Sequence, residues 1–367
     1  MIYGKYSLPD YPQREDMWDR IAVESRPIVV YGMGNGADKL FSRLEKYGVT
    51  PSDIFASDGF VRGHSFRGMP VRSFSEIKEK YSDFVILLSF ATSRREVLDM
   101  LSEINSEYEM YVPDMPVAGE EYFDRELYNE SYTEIKRAYD RLSDEKSKNA
   151  YAAIINYKLT GKMEYLLDCY STTEELYGEL DSGRIRTYLD LGAYNGDTLR
   201  EAERYFPNLE RAVALEPDPK TYKRLLKYCC TVENIEITPI NAAAWSCVAE
   251  GSFSSSGNRN SSVSSTASYE NKVVELPLIT VDCLGLSPDY IKYDVEGAEM
   301  EALIGSDETI RAHHPELLIS LYHRSRDIFE LINYLSDRYP EYTLKIRRTL
   351  CVPAWEVALI LTTSEKD

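Results

Sequence analysis

The chain has 367 residues, 43% apolar and 28% charged, with 42 basic against 61 acidic side chains and a formal net charge of −19. The length fits two to three domains, each able to bury a core without staples, and the composition excludes a wholly disordered or fibrous chain. The negative charge makes nucleic acid and anionic membrane surfaces poor partners for the chain as a whole, and the longest apolar runs, such as FVILL at 84–88, are far short of a membrane span.

Residues 1–25 read as an arm with one short helix over 13–23. A β-branched strand at 28–31 runs into a turn with Gly32, Gly34 and Gly36, and a helix follows over 37–47 through Leu40, Phe41 and Leu44. Further strands are expected at 53–58, 84–89 and 108–112, with a helix over 93–104 between the last two. This alternation predicts a small parallel α/β domain over 26–118. Residues 119–180 change character: long stretches free of Gly and Pro, with Ser143 or Asp144 placed to cap a helix, predict a helical connector. A second α/β pattern fills 181–367. Strands are expected at 187–191, 211–215, 236–240, 290–294 and 316–321, with helices over 197–205, 219–228, 298–304 and 326–336. Residues 251–268 include nine Ser and read as a mobile loop, and 272–280 as an extended stretch. Two closing runs, 342–347 and 356–362, are expected to form an antiparallel hairpin at the sheet edge.

The strongest chemical signal is YLDLGAYNGDT at 188–198. An apolar strand carries Asp190 to a turn with Gly192 and Gly196, and a helix begins at once. Glycine lets a backbone approach a ligand closely, and the free N–H groups of a helix start favour an anion. Glu216 closes the next strand 24 residues after Gly192, where an acid can accept both ribose hydroxyls. The spacing D-x-G-x-x-x-G lacks the second close glycine that a pyrophosphate needs. It therefore favours S-adenosylmethionine, whose anionic group is a carboxylate.

These segments resemble an FkbM-type methyltransferase, a class I S-adenosylmethionine-dependent family. The resemblance rests on YLDLGAYNGDT at 188–198, ALEPDP at 214–219, IKYDVEGAEMEALIG at 291–305 and PELLISLYHRSRD at 315–327, four ordered motifs over the C-terminal half. It implies a Rossmann-like sheet with a terminal antiparallel hairpin, joined through the connector to a smaller N-terminal Rossmann-like domain. It also implies S-adenosylmethionine as cofactor, with Gly192, Asn195 and Gly196 lining its site, Glu216 on the ribose, and Asn241 and Ala242 near the adenine. The family methylates hydroxyl groups, often on sugars or polyketide-type products. The Ser-rich stretch at 252–268 departs from the family's pattern and bears on the acceptor site.

Three acids, Asp294, Glu296 and Glu299, end one strand and enter a helix at the ligand edge. Asp294 or Glu296 is placed to act as general base for a hydroxyl, while a divalent metal held by these acids is the less favoured alternative, so no metal ligand is assigned. His323 follows LLISLY at the same edge and is expected to change protonation near neutral pH. His313 and His314, in a connection, read as solvent-facing. The assignment is therefore Asp294 and His323 for catalysis with Glu296 in reserve, and Asp190, Gly192, Asn195, Gly196, Glu216, Asn241 and Ala242 for the cofactor.

Near the N-terminus, Gly32-x-Gly34-x-x-Ala37 with Asp58 fits the dinucleotide fingerprint formally. The stretch GHSFRGMPV resembles small nucleotide-sugar-binding domains of sugar-modifying enzymes. Two competing readings remain: an N-terminal enzyme dependent on a nucleotide sugar or NAD, and a non-catalytic two-domain binding protein. Six Cys without a C-x-x-C pair, and an N-terminus without a leader pattern, place the expectation in the cytoplasm. The expected partner is a small-molecule or glycan acceptor, with a homodimer allowed, no nucleic acid and no membrane span.

Overall fold

The structure is a computed structural model, and it describes residues 4–61, 63–255, 262–263 and 272–363. The N-terminal sheet has six strands: β1 (Ile28–Tyr31), β2 (Asp53–Ala56), β3 (Ser65–Phe66), β4 (Met69–Ser73), β5 (Val85–Leu88) and β6 (Met110–Tyr111), ordered β3-β4-β2-β1-β5-β6. All pairs are parallel except β3 with β4. The sequence reading lacked β3 and β4, because Arg67, Gly68 and Pro70 break the apolar run that marks a strand. The N-terminal helix is shorter than expected, Met17–Ala22, because Asp16 caps it and starts it late.

Five helices connect the two sheets: Arg125–Glu130, Tyr132–Arg141, Glu145–Thr160, Glu164–Leu167 and Thr173–Tyr177. Glu145–Thr160 is the central one. Asp144 caps it by accepting from Ser147 N, and side chains all round it are buried. It packs against both halves, so its lack of an apolar stripe follows from its position.

The C-terminal part is built on seven strands: β7 (Thr187–Leu191), β8 (Arg211–Leu215), β9 (Glu236–Ile240), β14 (Tyr290–Tyr293), β15 (Glu316–Ser320), β16 (Thr343–Arg348) and β17 (Val357–Thr362). Their order is β16-β17-β15-β14-β7-β8-β9. The pairs are parallel except that β17 runs antiparallel to both β15 and β16. The closing hairpin therefore lies at the sheet edge as the sequence indicated. The chain steps outward from β7 through β8 to β9 and then returns to β7's other side as β14. This reversal opens a crevice at the strands' C-terminal ends, where open α/β sheets bind ligands.

Between β9 and β14 lie β10 (Ala243–Ala244), β11 (Ala249–Ser255), β12 (Ser262–Val263) and β13 (Lys272–Ile279), a separate sheet ordered β10-β13-β11-β12. The Ser-rich stretch is thus not one loop. Residues 251–255 pair with β13 in register, Phe253 opposite Val274, and 262–263 with β11. The remainder of that expected loop lies outside the described residues.

The two halves share one apolar cluster. Val29, Phe84 and Leu88 of the first sheet, Tyr151 and Ile155 of the central helix, and Leu189, Ile291 and Ile319 of the second sheet all belong to it. A buried ion pair, Lys158 Nζ to Asp114 Oδ2 at 2.6 Å, joins the central helix to the chain leaving β6. No helix among the described residues is long and apolar enough to cross a membrane.

Candidate active site

A cleft of about 670 Å³ opens at the C-terminal ends of β7, β8, β14 and β15. Its floor starts at Gly192, held at φ +87°. A Cβ there would lie 1.9 Å from the Asp294 carbonyl oxygen, so only glycine lets the β7 turn pass this close to the end of β14. Gly192 N–H and Ala193 N–H both donate to the Leu215 carbonyl, fixing the turn to β8.

Glu216 lies just past β8, is 6% exposed and lines the cleft. Asp218 N–H donates to its Oε1 at 2.7 Å. Burial, with the negative charges of Asp218 and Glu296 nearby, pushes its carboxyl up to about 8 against the backbone donors. Ala242, following β9, also lines the cleft.

The opposite wall follows strand parity. Lys292, Asp294 and Glu296 along β14 and its exit, and Leu318, Ser320 and Tyr322 along β15 and its exit, all line the cleft. Alternate residues of a strand share a face. Asp294 accepts from Lys292 Nζ at 2.9 Å, Ser320 Oγ at 2.9 Å and Tyr322 Oη at 3.1 Å. Burial opposes its charge, yet Lys292, His323 and Ser320 hold it well below the ordinary carboxylate range. Lys292 sits opposite Asp190 in the β7–β14 register. Its own burial is outweighed by Asp294 and Asp190, which raise it further.

Several expected residues lie elsewhere. Asp190 is fully buried beneath the cleft, where it accepts from Thr198 Oγ1 at 2.5 Å, and burial raises its carboxyl to about 6 against Lys292 and Thr198. It supports the turn from below. Asn195 Oδ1 accepts from Arg200 at 3.3 Å, and Gly196 sits against the Tyr228 ring at the start of helix Asp197–Tyr205; neither lines the cleft. Asn241 spends its amide on the carbonyls of Glu216 and Pro217, at 2.8 and 3.1 Å, so it holds the Glu216 loop and does not face the space beside Ala242.

His323 departs most. It is 0% exposed and does not line the cleft. Burial disfavours its charge, but Glu299, Asp294 and Glu296 outweigh this and raise it to about 10. These acids favour the charged ring at neutral pH, and a buried side chain outside the cleft does not reach an acceptor as a base. Parity could have shown this: His323 is out of phase with Ser320 and Tyr322. Among the described residues no group of three or more His, Cys, Asp and Glu is placed to hold a metal ion.

Sequence reasoning missed Lys292, Tyr194, Thr198, Ser320 and Tyr322. Lys292 carried a readable signal, a charge inside the apolar strand YIKY. The rest of the cleft mouth comes from far along the chain. Tyr170 and Thr172 of the connector, Leu350 and Glu356 between β16 and β17, and Ser93 after β5 line it. Thr92 and Val352 exchange backbone hydrogen bonds at 2.8 and 3.0 Å, which fixes the N-terminal half beside the hairpin.

The N-terminal glycine turn is packed differently. A Cβ at Gly36 would fall 2.1 Å from the Ser89 carbonyl oxygen, so that glycine serves the contact between helix and strand. Asp58 accepts from Phe74 N and Ser75 Oγ, at the start of helix Phe74–Lys80. The acid that a dinucleotide's ribose would need is engaged within the protein.

Residues 190–346 match the family model described as Methyltransferase FkbM domain. The chain carries a methyltransferase FkbM domain. That domain makes it an enzyme, a methyltransferase. No curated protein matches the chain. The fold is that of the crystal structure of Methyltransferase FkbM from Methylobacillus flagellatus KT, with a TM-score of 0.69 at 20% identity, covering 97% of this chain and 94% of that one. Aeropyrum pernix fibrillarin with bound S-adenosyl-L-methionine aligns over 50% of this chain and 69% of its own, at 15% identity and a TM-score of 0.31. Precorrin-6y C5,15-methyltransferase from Geobacter metallireducens GS-15 aligns over 53% and 90%, at 14% identity and a TM-score of 0.32.

Proposed function

We propose that the FkbM domain methylates a hydroxyl group of a sugar, glycan or related small molecule in the cleft. The observation that carries this reading is the pair Asp294 and Glu296, two carboxylates on the same cleft wall across from Gly192 and Glu216. The donor set fits the cofactor. Glu216 is a buried carboxyl at the strand end where a ribose diol would supply the donors that the protein gives sparingly, and the Gly192 turn leaves backbone exposed beside it. Gly192, Glu216 and Ala242 would hold the nucleoside.

Bound S-adenosylmethionine supplies a methyl group on a sulfonium; the carbon–sulfur bond breaks as the carbon–oxygen bond forms. The chain's own work is to place the acceptor oxygen in line, which supplies much of the rate, and to receive its hydrogen bond and proton. Asp294 is a weak base given its three donors, so it suits the orienting hydrogen bond. Glu296 stands beside it to take the proton. The acceptor enters past Tyr170, Thr172 and Glu356, a polar mouth suited to a molecule rich in hydroxyls. With Glu174, Glu201 and Glu356 on the lining, the acceptor is uncharged or cationic rather than phosphorylated.

Titration calorimetry with S-adenosylmethionine tests the cofactor half. The wild type binds, and Glu216→Ala loses two charge-assisted hydrogen bonds of roughly 1.5–3 kcal/mol each. Equal affinities of the two proteins would remove Glu216 from the site.

A further inference from the structure

The loops that leave β14 and β15 meet at His323. Its Nδ1 lies 2.9 Å from Glu299 Oε1, and its Nε2 lies 3.5 Å from Asp294 Oδ1 and 3.6 Å from Glu296 Oε2. The other three histidines, His64, His313 and His314, are exposed. Asp327, from helix Asp327–Arg338, is a further buried acid, raised by burial and Glu299 and drawn down by His323, and the Tyr322 ring packs 4.2 Å from the imidazole centroid. The cations nearby are Lys292, already on Asp294, and Arg324, whose Nε donates to the Gly297 carbonyl at 2.6 Å.

A neutral imidazole has one N–H and one lone pair, and here that lone pair would face a carboxylate oxygen on one side or the other. An imidazolium presents an N–H to both sides. With carboxylate oxygens 2.9 to 3.6 Å from both nitrogens of a buried ring, the surroundings favour a cation. That cation stands between Asp294 and Glu296. Asp294 and Glu296 are half-buried, and two neighbouring carboxylates there stay ionised together more readily with a cation beside both. The loop is also held under strain to bring them together. Glu296 sits at φ +54°, a conformation non-glycine residues rarely adopt, and Glu299 Oε1 accepts from Val295 N at 3.0 Å to keep the loop in place.

We infer that His323 is a positioning residue, a buried imidazolium that holds Asp294 and Glu296 side by side as two ionised carboxylates facing the cleft. The inference rests on the reading of that cleft as the methyl-transfer site. His323 does not touch the substrate; it acts through the two acids. Its charge lets Asp294 accept the acceptor's hydroxyl while Glu296 stays ready for a proton.

Two measurements on the full chain test this. Carbon-13 labelling of the four histidines and an NMR titration from pH 5 to 9 reads the first. His323 is expected to stay imidazolium past pH 9; Asp294→Asn with Glu296→Gln brings its midpoint down. A wild-type His323 that loses its proton between pH 6 and 8 overturns the inference. The second measurement is the pH dependence of S-adenosylmethionine affinity. The wild type is expected to weaken toward pH 6 only as the Glu216 proton release requires. His323→Gln loses on the order of a further tenfold relative to the wild type toward pH 6 as one carboxylate takes a proton and the attraction for the sulfonium weakens. His323→Lys restores the wild-type profile. A His323→Gln loss equal at every pH marks a merely structural residue and also overturns it. If the wild type binds no S-adenosylmethionine at any pH, the cofactor reading fails, and the spectra alone still decide the charge of His323.

Discussion

Glu216 is a carboxyl group held in low dielectric at the edge of the cleft, pushed up to about 8. At pH 7 it is therefore largely protonated in the free protein. Two ribose hydroxyls donating to it favour the ionised form, so binding releases that proton. Calorimetric enthalpies of S-adenosylmethionine binding at pH 7 are expected to differ between buffers of low and high ionisation heat, and Glu216→Gln to abolish the difference. Identical enthalpies in all buffers for the wild type count against the assignment. His323 makes a separate prediction for stability. Its folded value of about 10 lies above the ordinary 6.5. Its contribution is therefore complete below about pH 6.5 and is lost as pH rises through about 10. Urea midpoints between pH 6.5 and 10 should fall less in His323→Gln than in the wild type; parallel curves would contradict the ion cluster. Residue types and strand ends were legible in the sequence: Gly192, Glu216, Ala242, Asp294 and Glu296 do line the cleft. Side-chain direction in the loops was not. Asn195 and Asn241 found local partners, and His323 followed the inward parity of its strand exit, because a motif fixes which loop reaches a ligand and not where each side chain turns.

At the scale of elements, the alternating strands and helices and the closing hairpin were readable because long apolar periodicities dominate them. Short strands were not. β4 carries Pro70, and β10 has two residues, so neither shows a period. β11 was hidden by serine, whose composition reads as loop; its pairing comes from the neighbouring apolar β13. The central helix Glu145–Thr160 has a consequence for stability. Lys158 is 6% and Asp114 8% exposed, and they face each other at 2.6 Å. Removing one partner leaves the other buried and charged, so Lys158→Ala is expected to cost about 3–5 kcal/mol. Lys158→Met with Asp114→Leu should cost much less. Chemical denaturation of the single and double variants checks this, and a single variant within ~1 kcal/mol of wild type would show that the pair does not staple the helix.

For the molecule as a whole, the shared apolar cluster and the Thr92–Val352 pairing make the N-terminal half part of the catalytic body, with Ser93 at the cleft mouth. A chain lacking residues 1–118 would expose the face of that cluster. It is expected to lose cooperative unfolding in a calorimetric scan, whereas a sharp transition would mark the C-terminal half as independent. The −19 charge suits an enzyme whose donor is a sulfonium and whose acceptor is not an anion. The most direct test of the account is transfer of isotopically labelled methyl from S-adenosylmethionine to a panel of free sugars, glycans and small alcohols, with phosphorylated sugars alongside, by wild type and Asp294→Asn. The account predicts label on a hydroxyl oxygen of an uncharged acceptor and a loss of ~10²-fold or more in turnover for Asp294→Asn, with cofactor affinity falling by no more than about tenfold. Label on nitrogen or carbon, a phosphorylated acceptor preferred over its neutral parent, or an Asp294→Asn enzyme as fast as the wild type would contradict it.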